Sequence, residues 1–184
     1  MFFRRALPAA AILSLAALVA LPASAIDHPG REDLGRFIGS FGYVDGARDR
    51  RSWEEGVQRT VSSLNVMIRG FAEGRIRESV RPERRIAFEP SDGDRVRVRF
   101  DDWASPPMSL SGGQRQATVW QGNATRLSVR LRGERLTVRS AAEPGTRESF
   151  FTLSPDNAYL FMQVRVSSSR LPESIRYTLT YRRQ

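Results

Sequence analysis

Few residues in this chain have a type and spacing that could do chemistry. Histidine occurs once, at His28. One imidazole near a terminus cannot build a multi-histidine metal site or a buried triad. Cysteine is absent, which excludes thiol catalysis, disulfides and a lipid anchor on a first mature cysteine. Asp101 and Asp102 could bind calcium or act as paired acids. Adjacent strand residues point to opposite faces, however, so the pair is read as ending the strand that carries Arg95, Arg97 and Arg99 and balancing its charge. Ser111-Gly112-Gly113 reads as a hairpin turn, because no Lys-Ser/Thr follows and no phosphate-binding helix opens there. Asn123-Ala124-Thr125 matches a glycosylation triplet in a predicted turn. No catalytic residue, metal site or cofactor is expected.

The arginines carry more information. The 184-residue chain has 29 basic side chains, 20 acidic ones and a formal charge of +9, and every basic side chain is arginine. A GC-rich genome accounts for arginine without lysine. Recognition of carboxylate or phosphate, which guanidinium grips through parallel hydrogen bonds, would also use it. Arg95, Arg97 and Arg99 alternate with Val96 and Val98, so they share one sheet face. Arg126, Arg130 and Arg132 share the face opposite Leu127, Val129 and Leu131. These rows read first as a solvated outer face. Their functional reading is an anion-binding surface, with Arg95, Arg97, Arg99, Arg126 and Arg130 as the candidate residues for an envelope polymer or lipid head group. No nucleic-acid partner is expected, since no binding motif occurs.

The elements that would position these side chains begin with a processing segment. Arg4 and Arg5 precede an apolar run from Ala6 to Leu21. Pro22 breaks that run, and Ala23-Ser24-Ala25 supplies a small-x-small cleavage site. Residues 1–25 are therefore predicted to be a signal peptide, cleaved near Ala25-Ile26, which implies a periplasmic or secreted protein. The apolar run is short for a membrane anchor, and none is expected after cleavage. Arg4-Arg5 leaves the general secretory and twin-arginine routes both open. Removing 25 residues leaves 159, with 27 arginines and a charge of +7. That length suits one domain.

Residues 26–51 are predicted as a leader with a short helix over Arg31–Phe41 and a polar link from 42 to 51. The folded domain is predicted to span 52–184. Ser52 and Glu55 have capping-box spacing, so a helix should start at Trp53. Trp53, Val57, Val61, Leu64, Ile68 and Phe71 then form one apolar stripe, widened by Met67, and Gly74 ends it. The stripe is predicted to pack on the core. Beyond residue 76 the hydrophobic period becomes two. Short alternating runs are separated by turn residues such as Asp92-Gly93, Gly122-Asn123, Gly133-Glu134, Pro144-Gly145 and Ser154-Pro155-Asp156-Asn157. The expectation is a mainly β domain: an antiparallel meander of about 8–10 strands closed as a barrel or stacked as a sandwich, with one amphipathic helix packed on it.

The stretch from Leu131 to Arg183 resembles the closing hairpins of lipocalin-like β-barrels in bacterial secreted proteins. Glu148 to Leu153, the Ser154–Asn157 turn, the long alternating strand after it, Leu171-Pro172 and the final strand from Ile175 to Arg182 carry the resemblance. It implies a cavity for a small apolar or amphipathic ligand and no obligatory enzyme activity. A non-enzymatic exported binding protein is thus the leading expectation. A structural module that meets anionic envelope components through its arginine rows is the second. A carboxylate-dependent enzyme is the third.

Overall fold

In the computed structural model, residues 29–118 and 124–184 are described. The chain opens with helix α1 (Pro29–Phe37) and strand β1 (Gly39–Tyr43). Two helices follow, α2 (Ala47–Ser63) and α3 (Val66–Ser79). Next come β2 (Arg85–Pro90), β3 (Arg95–Phe100) and the short β4 (Trp103–Ala104) and β5 (Met108–Ser109). Long hairpin strands complete the chain: β6 (Ser111–Thr118), β7 (Ala124–Arg132), β8 (Arg135–Ala142), β9 (Gly145–Leu153), β10 (Tyr159–Ser168) and β11 (Ile175–Arg183).

All strand pairs are antiparallel, and the order is β4-β3-β2-β1-β11-β10-β9-β8-β7-β6. The first strand lies between the second and the last, so the meander curls back on its own start. Its two ends approach through β5, which pairs with β3, and through Leu131, whose N–H donates to the Leu110 carbonyl at 3.0 Å. The predicted mainly β meander is therefore found, curled as a partly open barrel.

Period-two patterning makes this curl possible. Val96, Val98 and Phe100 on β3, Leu160, Met162 and Val164 on β10, and Ile175, Tyr177, Leu179 and Tyr181 on β11 are all buried. Their sequence neighbours face outward. Inside, Phe88 meets Phe37, Phe41 and Phe151 edge-on, with ring centroids 6.1, 6.3 and 5.2 Å away. Phe37 brings α1 into this aromatic cluster. Arg36 ties the same helix to Glu134 at 2.9 Å and to Asn157 at 3.2 Å. Thus α1 closes the end of the barrel where the β7–β8 and β9–β10 hairpins turn. It stops before Gly39, whose φ of +133° suits glycine alone, so the helix predicted to Phe41 gives way to β1.

The helical region differs from the sequence expectation in three ways. Helix α2 starts at Ala47, six residues before Trp53. Ser52 is no cap: its hydroxyl accepts from the Thr178 N–H at 3.0 Å. Asp49 likewise accepts from the Thr180 N–H at 2.6 Å and hydroxyl at 3.1 Å. The reason is topological. β1 pairs with β11 only opposite residues 181–183, and α2 satisfies the β11 edge where β1 has left it. Second, the single predicted helix is two. Leu64 is extended (φ −77°, ψ 157°), and the Asn65 side chain caps α3 by accepting from the Met67 N–H at 3.0 Å. Third, the stripe divides at that break. Val57, Val61 and Leu64 are buried, whereas Met67, Ile68 and Phe71 are exposed, so the predicted core face ends at Leu64. Gly74 does not end the helix, which runs to Ser79.

The close approach of α2 to β11 depends on Gly56. A Cβ there would lie 2.4 Å from the Arg176 carbonyl oxygen. Gly56→Ala is therefore expected to destabilise by about 1–3 kcal/mol, as overpacking does, despite alanine's better helix propensity. A urea midpoint equal to or above the parent's would refute this.

Ser111-Gly112-Gly113 also departs from expectation. It lies within β6 rather than in a turn, where the register against β7 shifts between Ser111 and Gln114. Gly112 has φ +94°, and a Cβ there would meet the Arg130 guanidinium. The segment is a bulge, a place where a strand tolerates glycine.

Candidate functional site

The barrel end opposite α1 is not filled. The hairpins at 143–144 and 169–174 turn there, and α3 crosses above them. Between them lies a cavity of about 460 Å³. Its walls come from inward positions of the barrel: Phe100 on β3, Thr125 and Leu127 on β7, Val138 and Ser140 on β8, Ser149 on β9, Val166 on β10 and Ile175 on β11. Ile76 supplies the helical side, and Arg75, Arg170 and Glu143 stand at the rim. The inward positions are large and apolar toward the α1 end but small and polar (Thr125, Ser140, Ser149) toward this end. That gradient leaves the space.

One inward position carries charge. Arg147 shares the parity of Ser149 and Phe151 on β9, so its guanidinium points into the barrel wall beside the cavity. It meets Glu83, from the segment between α3 and β2, at 2.6 Å, with side-chain exposures of 14% and 6%. Two charges this deep are tolerated because each neutralises the other. Burial is the largest single influence and works against the arginine's charge, but the charge and hydrogen bond of Glu83 together with the nearby Tyr177 and Tyr181 hold Arg147 above its ordinary pKa. Burial also raises the Tyr177 phenol, opposed by Arg147, and raises Tyr181, reinforced by Glu83. Tyr43, nearer the surface, is pushed up to about 12 by burial and by Asp49.

The same region anchors α3. The carbonyl of Val80, at its C-terminal end, accepts from the Trp53 indole at 2.9 Å and from the Tyr177 hydroxyl at 3.1 Å. Arg77 binds Glu54 on α2 at 2.7 Å and Glu73 at 3.0 Å, which lowers the pKa of Glu54. The lid over the cavity is thus held at its far end and along one side.

The residues singled out from sequence lie elsewhere. Arg95 and Arg97 are exposed on the outer face of β3, and Arg99 is half-buried against Glu89 at 3.1 Å. Glu89 also stands opposite Arg97 in the β2–β3 register, so one carboxylate faces two of the three arginines. Arg126 and Arg130 are exposed on β7. Arg126 lines a shallow groove beside the cavity mouth. The two rows lie on strands far apart in the sheet order, whose ends approach at the β5 junction. Asp101 has φ 48°, and its carboxylate accepts from the Arg85 N–H at 2.8 Å, which makes it the turn residue that ends β3. His28, Asn123 and the Gly122-Asn123 turn fall outside the described residues; Thr125 of the triplet is buried on β7. Among the described residues no group of three or more His, Asp and Glu could hold a metal ion. No described helix is long and apolar enough to cross a membrane.

Sequence reading missed Glu83 and Arg147. A signal was present for one of them. Counting back by twos from Phe151 places Arg147 on the apolar face, where an arginine demands a partner. Nothing in the sequence identified Glu83 as that partner.

No protein family model and no curated protein matches this sequence. Solved structures do. A secretary abundant heat soluble protein from Ramazzottius varieornatus superposes over 81% of this chain and 96% of its own, with a TM-score of 0.53 and 7% identity. Fatty-acid-binding protein 1 from Echinococcus granulosus covers 81% of this chain and 98% of its own, at a TM-score of 0.49 and 10% identity. The zebrafish ileal bile-acid-binding protein complexed with cholic acid covers 81% and 99%, at 0.48 and 10%. At such identities the likeness shows the fold alone, an antiparallel β-sheet curled as a barrel.

Proposed function

We propose that this chain is an exported, non-enzymatic carrier of a small apolar or amphipathic ligand. The observation that carries the reading is the cavity of about 460 Å³ at the α3 end, walled mostly by Ile76, Phe100, Leu127, Val138, Val166 and Ile175. Binding sites of small molecules are concave, mainly apolar and furnished with few polar groups, and they occur in the mouths of β-barrels. Transfer of an apolar molecule into this space gains roughly 25 cal/mol for each Å² removed from water. Thr125, Ser140 and Ser149 offer hydroxyls to a polar group of the ligand. Arg75 and Arg170 at the rim suit an anionic one. Export rests on the N-terminal pattern: Arg4-Arg5, the apolar run to Leu21 and Ala23-Ser24-Ala25. Terminal sequencing of the mature protein should begin at Ile26, and a chain that keeps Met1 would refute export by cleavage.

Binding is tested with 1-anilinonaphthalene-8-sulfonate and with native mass spectrometry of protein purified from its host. The parent should enhance the probe's fluorescence, and a retained molecule should appear as added mass. Ser140→Phe places a ring in the cavity from a half-buried position. It should weaken probe binding at least tenfold while leaving the urea midpoint within about 0.5 kcal/mol, the range of tolerated changes. Equal probe binding by parent and variant would place the ligand elsewhere. No binding together with no added mass would overturn the reading.

A further inference from the structure

Neighbouring strands carry one row of inward positions along the cavity wall. Register sets Leu127 opposite Ser140, Ser140 opposite Arg147, Arg147 opposite Val166 and Val166 opposite Ile175. All five side chains line the cavity. Ser149 lies on the same face as Arg147, two residues further in. Beyond it the next row, Leu136, Phe151, Met162 and Leu179, is apolar and buried. Arg147, Ser140 and Ser149 thus make one polar patch above an apolar floor. Directly opposed residues of a sheet have Cβ atoms about 4.5–5.5 Å apart, so a single polar group of a ligand can meet the guanidinium and a serine hydroxyl together.

The charge of this patch selects the polar group. Alone, Arg147 would hold a carboxylate, but Glu83 at 2.6 Å already balances it. Taking a carboxylate out of water is costly, and only an opposite charge in good geometry offsets the cost. A ligand carboxylate beside Arg147 would be the second anion on one buried cation. Tyr177 and Tyr181 face the pair with phenols that burial keeps uncharged. A ligand ammonium would meet the guanidinium and be repelled. A hydroxyl or a carboxamide has a much smaller desolvation penalty. It also matches what the patch offers, since guanidinium only donates while serine donates and accepts. Such a group accepts from Arg147 and donates to a serine Oγ. The rim arginines, Arg75 and Arg170, are exposed, and an ion pair formed in water contributes little.

We infer that the cavity selects an uncharged amphipath, a long-chain alcohol or primary amide, bound head-inward on Arg147, Ser140 and Ser149, and rejects the matching carboxylate because Glu83 already balances the arginine. The inference rests on the carrier reading above. It directs the apolar tail toward the mouth, where Ile76, Phe100 and Leu171 line the space.

The test uses the chain from Ile26 onward, which holds every described element, and displacement of N-phenyl-1-naphthylamine, an uncharged apolar probe. The competitors share one saturated chain: dodecan-1-ol, dodecanamide, dodecanoate and dodecylammonium, each below its micelle concentration and at a pH where the carboxylate is ionised. The parent should bind the alcohol and the amide at least tenfold more tightly than either ion. Glu83→Gln keeps the pair's shape and removes its negative charge, so dodecanoate should gain at least tenfold and overtake the alcohol. Should that variant not fold, Glu83→Leu with Arg147→Met removes both charges at similar volume. It should still bind the probe but lose at least tenfold of its affinity for the alcohol and the amide. A parent that binds dodecanoate as tightly as the alcohol would overturn the inference and leave the carrier reading standing. Loss of that dodecanoate binding in Arg75→Gln with Arg170→Gln would then place the head at the rim. A ranking unchanged by the pair's substitutions would also overturn the inference. A parent that binds neither probe nor competitor would overturn both readings.

Discussion

Glu83→Ala is expected to cost the folded chain about 3–5 kcal/mol, the range seen when one partner of a buried ion pair is removed. Glu83 is 6% exposed and sits 2.6 Å from Arg147, itself 14% exposed. The substitution leaves a guanidinium inside a barrel wall with its counter-charge gone. For urea slopes of about 1–3 kcal/mol per molar, the midpoint should fall by at least about 1 M. The control is the double replacement Glu83→Leu with Arg147→Met. It removes both charges at similar volume and should recover most of the loss, since an apolar pair in such a place is often as stable as the ionic one. If Glu83→Ala unfolds at the parent's midpoint, the pair is not a structural element of the barrel. If the double variant is as unstable as the single one, the packing of the two stems matters more than their charges.

The second large effect is a contrast within one apparent stripe. Leu64→Ala should destabilise by about 2–5 kcal/mol, as buried large-to-small changes do, because Leu64 is 7% exposed at the end of α2. Phe71→Ala, seven residues on, should change stability by less than about 0.5 kcal/mol, because its ring is 71% exposed. The order is opposite to side-chain size. Chemical denaturation of the two variants decides it, and comparable losses would mean that α3 packs through the face described here as open.

That contrast shows where sequence reading stops. Alternation along residues 95–100, 127–131, 160–166 and 175–181 was enough to identify strands and their inner faces, because a residue in a sheet faces either the core or water. Turn residues between the runs led to an antiparallel meander. The spacing of Val57, Val61 and Leu64 likewise identified the buried face of α2. These features depend on neighbours within a few residues, so they are written locally.

Other features depended on partners far along the chain. Ser52 and Glu55 had the spacing of a helix cap, yet Ser52 accepts from Thr178, a partner that exists only because β11 pairs with β1 and then outlasts it. Ser111-Gly112-Gly113 had turn composition, but pairing with β7 makes it a bulged stretch of β6. Arg95, Arg97 and Arg99 advertised themselves by number, whereas the charge inside the barrel belongs to Arg147, which has meaning only beside Glu83. Met67, Ile68 and Phe71 continued a hydrophobic period that promised burial.

Periodicity in a sequence determines that a helix has an apolar side. Which way that side turns is decided by the tertiary structure. Here the Asn65 cap restarts the helix, Arg77 holds it to Glu54, and Val80 is pinned by Trp53 and Tyr177. With its C-terminal turn fixed in this way, α3 covers the barrel mouth with Ile76 and leaves its apolar ridge facing outward.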